Sequence, residues 1–180
     1  MSYWTDLPLP TERELVVGLY DLRGYTAYCD GAEALRALDV IAGYHAFVGG
    51  IIAAAGGLLI KAIGDAGLYA FPAEHADAAV ATTFRVQSEG DAWLVRQGYP
   101  GGARMVMHIG PAAIGRVGGP GREQLDIIGK TVNVVGAMRM EGSFAMTPVT
   151  FQRLSPPLQR RFVKSTSLAY IAVADGQPGR

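Results

Sequence analysis

Two aspartates, Asp21 and Asp65, carry the clearest chemical signal in this 180-residue chain. Asp21 closes the apolar run ELVVGLYD at 14–21 and is followed by a turn at Gly24. Asp65 lies in Gly64-Asp65-Ala66-Gly67, the expected tip of a hairpin. Carboxylates at two strand ends can converge on one divalent cation or on a pair, and Mg²⁺ takes such oxygens together with substrate phosphates. The turn Leu22-Arg23-Gly24-Tyr25-Thr26 adds backbone N–H groups at a helix start, where an anion is favoured. Neither aspartate argues for function alone, because Gly-Asp is common at hairpin tips for conformational reasons.

Other candidate signals fail on spacing. Gly129-Lys130-Thr131 ends like a phosphate-binding P-loop, but that motif needs a glycine where Gln124 stands. His45, His75 and His108 are spread too evenly for a zinc site and read as ordinary core or surface histidines. No G-x-S-x-G occurs, and Arg160-Arg161 with nearby Lys164 reads as a solvated face. Cys29 is the only cysteine, which excludes an intramolecular disulfide and a thiolate metal cluster and points to a reducing compartment.

The elements that must position these residues follow from hydrophobic periodicity. Residues 1–13, with Pro8 and Pro10, read as an irregular lead-in, and 14–180 as a single domain. A strand at 14–21, a helix start within 22–28 and a helix over 33–55 come first, with Leu35, Leu38, Ile41 and Ile52 among the helix's apolar positions. Strands at 57–63 and 68–71 flank the 64–67 turn. A helix over 73–97, interrupted at Gly90, follows. Strands at 103–109 and 112–117 are expected on either side of a Gly110-Pro111 turn, then a loop tip at 118–121 and a short strand at 124–128. A helix over 131–139, a turn or helix at 147–154 broken by Pro156-Pro157, and a strand at 167–174 complete the pattern. The order β-α-β-β-α-β-β, with strands joined by hairpins, predicts an α+β fold: a ferredoxin-like (split βαβ) core, mostly antiparallel, with helices packed on one face.

Composition narrows the classes. Sixteen basic residues balance sixteen acidic ones, so no net charge draws the chain to nucleic acid or an anionic membrane. Hydrophobic residues at 49% exclude intrinsic disorder. Charged residues at 18%, against roughly 25% in an average soluble domain, suggest surface hidden in an oligomer. The uncharged stretch 40–60 is long enough for a bilayer, but its glycine pairs and the Lys61 and Asp65 that follow make a buried helix leading into a core strand the better reading. No membrane span is expected. Met1 to Asp6 lacks the basic and apolar regions of a signal peptide, and a cytoplasmic protein is expected.

Read in order, LYDLRGYT at 19–26, GGLLIKAIGDAGLYAF at 56–71, MHIGPAAIGRVG at 107–118 and LDIIGKTVNV at 125–134 resemble the catalytic domain of class III nucleotidyl cyclases, over roughly residues 14–155. Diguanylate cyclases need a second acidic residue after the hairpin aspartate, where this chain has Ala66. The resemblance implies that Asp21 and Asp65 bind two Mg²⁺ or Mn²⁺ ions, and that Lys61 and Asp126 read adenine. It also implies that Asn133 positions the ribose. Two chains would pair head to tail as a homodimer with sites across the interface, converting ATP to 3′,5′-cyclic AMP and pyrophosphate in signal transduction. The family's transition-state arginine falls at Ala137 here, which makes Arg139 the candidate, reached if the helix loosens near Gly136. The family's Lys-Gly phosphate arm is not evident, and Lys164 is its nearest stand-in. Two alternatives stay open: a degenerate module that binds nucleotide or dimerises with little turnover, and a cyclase for another nucleotide.

Overall fold

The computed structural model describes residues 3–138, 142–166 and 169–173. Strand β1 (Thr11–Leu22) leads into a short helix α1 (Tyr25–Gly31) and a long one, α2 (Ala34–Ala54). The hairpin β2 (Leu58–Ile63) and β3 (Ala66–Pro72) follows, then a 3-10 turn and helix α3 (Ala76–Arg96). Next come β4 (Ala103–Val117), β5 (Gln124–Ile128) and helix α4 (Lys130–Ala137). The described chain closes with β6 (Phe144–Met146), α5 (Pro148–Gln152), α6 (Pro156–Gln159), β7 (Phe162–Thr166) and β8 (Ala169–Ala172).

All eight strands belong to one sheet, ordered β2-β3-β1-β4-β6-β8-β7, with β5 on the far half of β4. Among the described residues only the β4–β6 pair is parallel. Strand β3 lies between β1 and β2, and β1 lies between β3 and β4, so both helical crossovers are split βαβ units. This is the α+β, mostly antiparallel core expected from the strand and helix order.

Alternation along the strands divides the core in two. Val16, Tyr20, Tyr69, Phe71, Met105 and Met107 face α2 and α3. Leu15, Val17, Leu68, Ala70, Val106 and Ile114 face the other way, toward Val135 of α4 and Trp4 of the N-terminal segment. The Trp4 indole N–H donates to the Gly56 carbonyl at 3.2 Å, which ties that segment to the turn between α2 and β2. Helix α2 is long and apolar enough to cross a membrane by length and composition. It nevertheless buries Ala37, Val40, Ile41, Tyr44, Val48, Ile51 and Ile52, at spacings of three and four, against the sheet and α3.

Several boundaries differ from the sequence pattern. Strand β1 starts at Thr11, three residues early. The two strands expected around Gly110-Pro111 are one continuous β4. Pro111 is exposed and stands between the β6-paired residues 105–107 and the β5-paired residues 113–117, where its missing N–H costs no ladder bond on that side. Gly90 does not interrupt α3. It is buried against the Tyr44 ring, where a larger residue would crowd it. Leu35 and Leu38 are 76% and 62% exposed and lie off the core face of α2. Arg161 is not simply solvated, since its guanidinium lies 3.6 Å over the Phe84 ring. Strands β6 and β7 went unpredicted, and the strand expected over 167–174 is β8, described from Ala169 to Ala172. Helix α4 stops at Ala137, and Met138 is already extended at φ −66°, ψ 133°.

Candidate active site

Asp21 and Asp65 reach one place from opposite directions. Asp21 is the penultimate residue of β1, and Asp65 lies in the β2–β3 turn. The paired register Tyr20↔Gly67 brings that hairpin against the end of β1. A Cβ at Gly67 would overlap the Tyr20 ring, so glycine lets the strands close here. The two carboxyl groups are near enough for Asp21 to act on the Asp65 carboxyl. Burial raises the Asp65 carboxyl above its ordinary value, and the Asp21 charge and hydrogen bond raise it further. The backbone N–H groups of Asp65 and Leu22 pull it partly back.

A cation faces this pair. Register places Arg104 of β4 opposite Asp21, and its Nη2 donates to Asp21 Oδ2 at 3.1 Å. Arg104 Nε is buried with no partner among the described residues. The partly exposed Nη end of this guanidinium is the part that an oxyanion beside the two carboxylates could meet.

The turn after Asp21 is clamped from below. Arg23 N–H donates to the Gly102 carbonyl at 3.0 Å, and the Tyr99 hydroxyl donates to the Arg23 carbonyl at 3.0 Å. Burial and then the Asp65 charge push the Tyr99 phenol up, so it stays a donor. Asp91 of α3 accepts from Ala103 N–H at 2.9 Å and holds the start of β4 beside the turn. Gly24, at φ 79°, takes the left-handed conformation that starts α1, and its carbonyl accepts from Tyr28. Of the five turn residues expected to offer N–H groups to phosphate, Leu22 and Arg23 have theirs engaged, by Asp65 and Gly102. Gly24, Tyr25 and Thr26 remain as the stretch that opens α1.

Lys61 of β2 and Asp126 of β5 meet apart from that pair. Lys61 Nζ lies 2.8 Å from Asp126 Oδ2, and Asp126 Oδ1 accepts from Ile127 N–H at 2.8 Å. The Asp126 side chain is 15% exposed and that of Lys61 36%, so the carboxylate is the better shielded partner. Ile63, Val117 and Ile128, at the ends of β2, β4 and β5, are exposed apolar side chains. Asn133 is exposed on α4. Lys164 is exposed on β7. Arg139 lies outside the described residues.

The residues present fit a divalent cation. Among the described residues no cluster of three or more His, Cys, Asp or Glu side chains could hold a metal. Two carboxylates forced together against their own repulsion call for positive charge, and two ligands leave positions for water and phosphate oxygens, the set Mg²⁺ prefers. Arg104, Tyr99, Gly102 and Asp91 were not read from the sequence. The Asp21↔Arg104 register, visible only once β1 and β4 are aligned, is the signal for Arg104.

No family model matches this sequence. The chain is 30% identical over 138 residues to an adenylate cyclase of Anabaena cylindrica, a match covering 72% of this chain and 27% of that protein. It therefore spans about a quarter of the length of this curated relative. Among solved structures, the adenylyl cyclase CyaB from P. aeruginosa superposes with a TM-score of 0.77 at 20% identity, over 94% of this chain and 98% of that one. The guanylyl cyclase Cya2 gives 0.75 at 18% identity, over 93% and 96%. The resemblance read from the sequence is borne out: the chain has the fold of the class III nucleotidyl cyclase catalytic domain.

Proposed function

We propose that this chain is an adenylate cyclase domain that converts ATP to 3′,5′-cyclic AMP and pyrophosphate. The observation that carries the reading is the convergence of Asp21 and Asp65, beside Arg104, at the end of β1. Asp21 and Asp65 would hold two Mg²⁺ or Mn²⁺ ions, which when bound would lower the pKa of the ribose 3′-hydroxyl and neutralise charge at the triphosphate. The turn at Gly24 to Thr26 and the Arg104 guanidinium hold phosphate oxygens in place. The 3′-oxygen forms a bond to the α-phosphorus as the bond to the β-phosphate bridging oxygen breaks. Pyrophosphate departs with that electron pair, and the hydroxyl proton passes to solvent.

Lys61 donates to a ring nitrogen of adenine while Asp126 accepts from its exocyclic amine, and Asn133 positions the ribose. The preformed Lys61–Asp126 pair supports this assignment. The chain works as a head-to-tail homodimer in which one protomer's Asp21 and Asp65 face its partner's base-reading pair. Exposed Ile63, Val117 and Ile128 and the low charge content support a buried face there. The setting is cytoplasmic signalling.

A second reading rests on Ala137, the last residue of α4, which cannot stabilise charge on the α-phosphate. With Arg139 not replacing it, the chain binds nucleotide with little turnover. Steady-state pyrophosphate release from Mn²⁺-ATP and Mn²⁺-GTP separates the readings: preferred ATP turnover supports the cyclase, preferred GTP turnover reassigns the base, and saturable binding without release favours the degenerate module.

A further inference from the structure

We propose that His45 is a positioning residue that sets the separation of Asp21 and Asp65. This deepens the metal-site reading above and rests on it. The Tyr20 hydroxyl lies 2.6 Å from His45 Nδ1, and His45 Nε2 lies 2.8 Å from the Gly64 carbonyl oxygen. A carbonyl only accepts, so Nε2 carries the proton. Nδ1 is then the acceptor, and the Tyr20 hydroxyl donates to it.

Tyr20 immediately precedes Asp21, and Gly64 immediately precedes Asp65. One imidazole therefore joins the two residues that lead into the two carboxylates. The ring closes through packing as well, since Tyr20 fills the space left open at Gly67 on the far side of the same turn. His45 itself is fixed at mid-length on α2, whose neighbours Tyr44 and Val48 are fully buried. The hairpin tip is thus referenced to a rigid helix rather than to its own short strands. A metal site tolerates little error in ligand placement, so losing the bridge weakens the cation rather than the fold.

The test is Mn²⁺ binding to the full chain without nucleotide, read by electron paramagnetic resonance, with near-ultraviolet circular dichroism to confirm the fold. His45→Phe keeps a buried ring and loses both hydrogen bonds; at least a fivefold rise in Mn²⁺ dissociation constant is expected. Tyr20→Phe removes one hydroxyl, and a smaller rise is expected. His45→Gln retains a donor and an acceptor, and binding between wild type and His45→Phe is expected. If His45→Phe does not fold, the Tyr20→Phe and His45→Gln results decide. Folded variants that bind Mn²⁺ within twofold of wild type overturn the proposal. A wild-type chain that binds Mn²⁺ without turning over ATP removes the cyclase reading and leaves this one standing, whereas one that binds no Mn²⁺ removes both.

Discussion

Replacing Lys61 by Met keeps the length of the side chain and deletes its charge, which isolates the part of the site proposed to read the base. The structure sets the size of the effect. Asp126 Oδ2 loses a partner at 2.8 Å and keeps only the Ile127 N–H on its other oxygen. A hydrogen bond to a charged group is worth about 1.5–3 kcal/mol. Lys61 is about one-third exposed, so screening places the loss at the lower end, near 1.5 kcal/mol. That loss is already present in the free chain and lowers its stability, whereas the lost donor to adenine, a comparable amount, lowers kcat/KM for ATP by roughly tenfold. GTP offers a carbonyl where ATP offers an amine, so its use never benefited from the pair. The assay is pyrophosphate release with each nucleotide at saturating Mn²⁺, on a variant whose melting temperature shows it folded. An equal loss for ATP and GTP would mean that Lys61 does not read the base, and the adenine assignment would fall.

Asp65→Asn is expected to abolish Mn²⁺-induced thermal stabilisation while raising the melting temperature of the metal-free chain at neutral pH. Because the folded Asp65 pKa is raised, its stabilising contribution is complete below the ordinary value of 3.8 and disappears as pH rises through the folded value. A metal-free variant less stable than wild type would contradict this. His108 has the opposite sign: burial lowers its pKa from 6.5, so its contribution is present above pH 6.5 and is lost as pH falls through the folded value. His108→Gln should flatten the acid side of the stability profile, and an unchanged slope in denaturant melts would count against the burial argument. Gly67→Ala forces a Cβ into the Tyr20 ring and should cost about 1–3 kcal/mol of stability, measurable by urea unfolding. Equimolar mixing of inactive Asp65→Asn with impaired Lys61→Met chains should raise activity above that of either alone, since one of the two sites of the mixed dimer retains both halves. No recovery would argue against shared sites.

The parts legible in the sequence were those governed by local chemistry. The β2–β3 hairpin followed from Gly-Asp-Ala-Gly between apolar runs, and α2 followed from a long apolar stretch, although of the positions picked out Ile41 and Ile52 are buried and Leu35 and Leu38 are not. The split βαβ architecture followed from the β-α-β-β-α-β-β pattern, whereas the pairing of Asp21 with Asp65 was what the family resemblance implied. What was lost depended on distant partners. Gly110-Pro111 looked like a turn because the change of β4's neighbour from β6 to β5, which makes the proline harmless, cannot be read locally. Gly90 looked like a break because its packing partner Tyr44 lies 46 residues away. Strand β6, three residues long, has no periodicity to detect. Arg104 and His45 were passed over because each acquires its meaning across the fold, from Asp21 in one case and from Tyr20 and Gly64 in the other.

The central claim is that the chain cyclises ATP, and the most direct measurement is identification of its products. Purified protein incubated with Mn²⁺ and ATP should yield 3′,5′-cyclic AMP and pyrophosphate in equal amounts, resolved by liquid chromatography and mass spectrometry, with both products absent for the folded Asp65→Asn variant. Saturable ATP binding with neither product, or products that persist in Asp65→Asn, would contradict it.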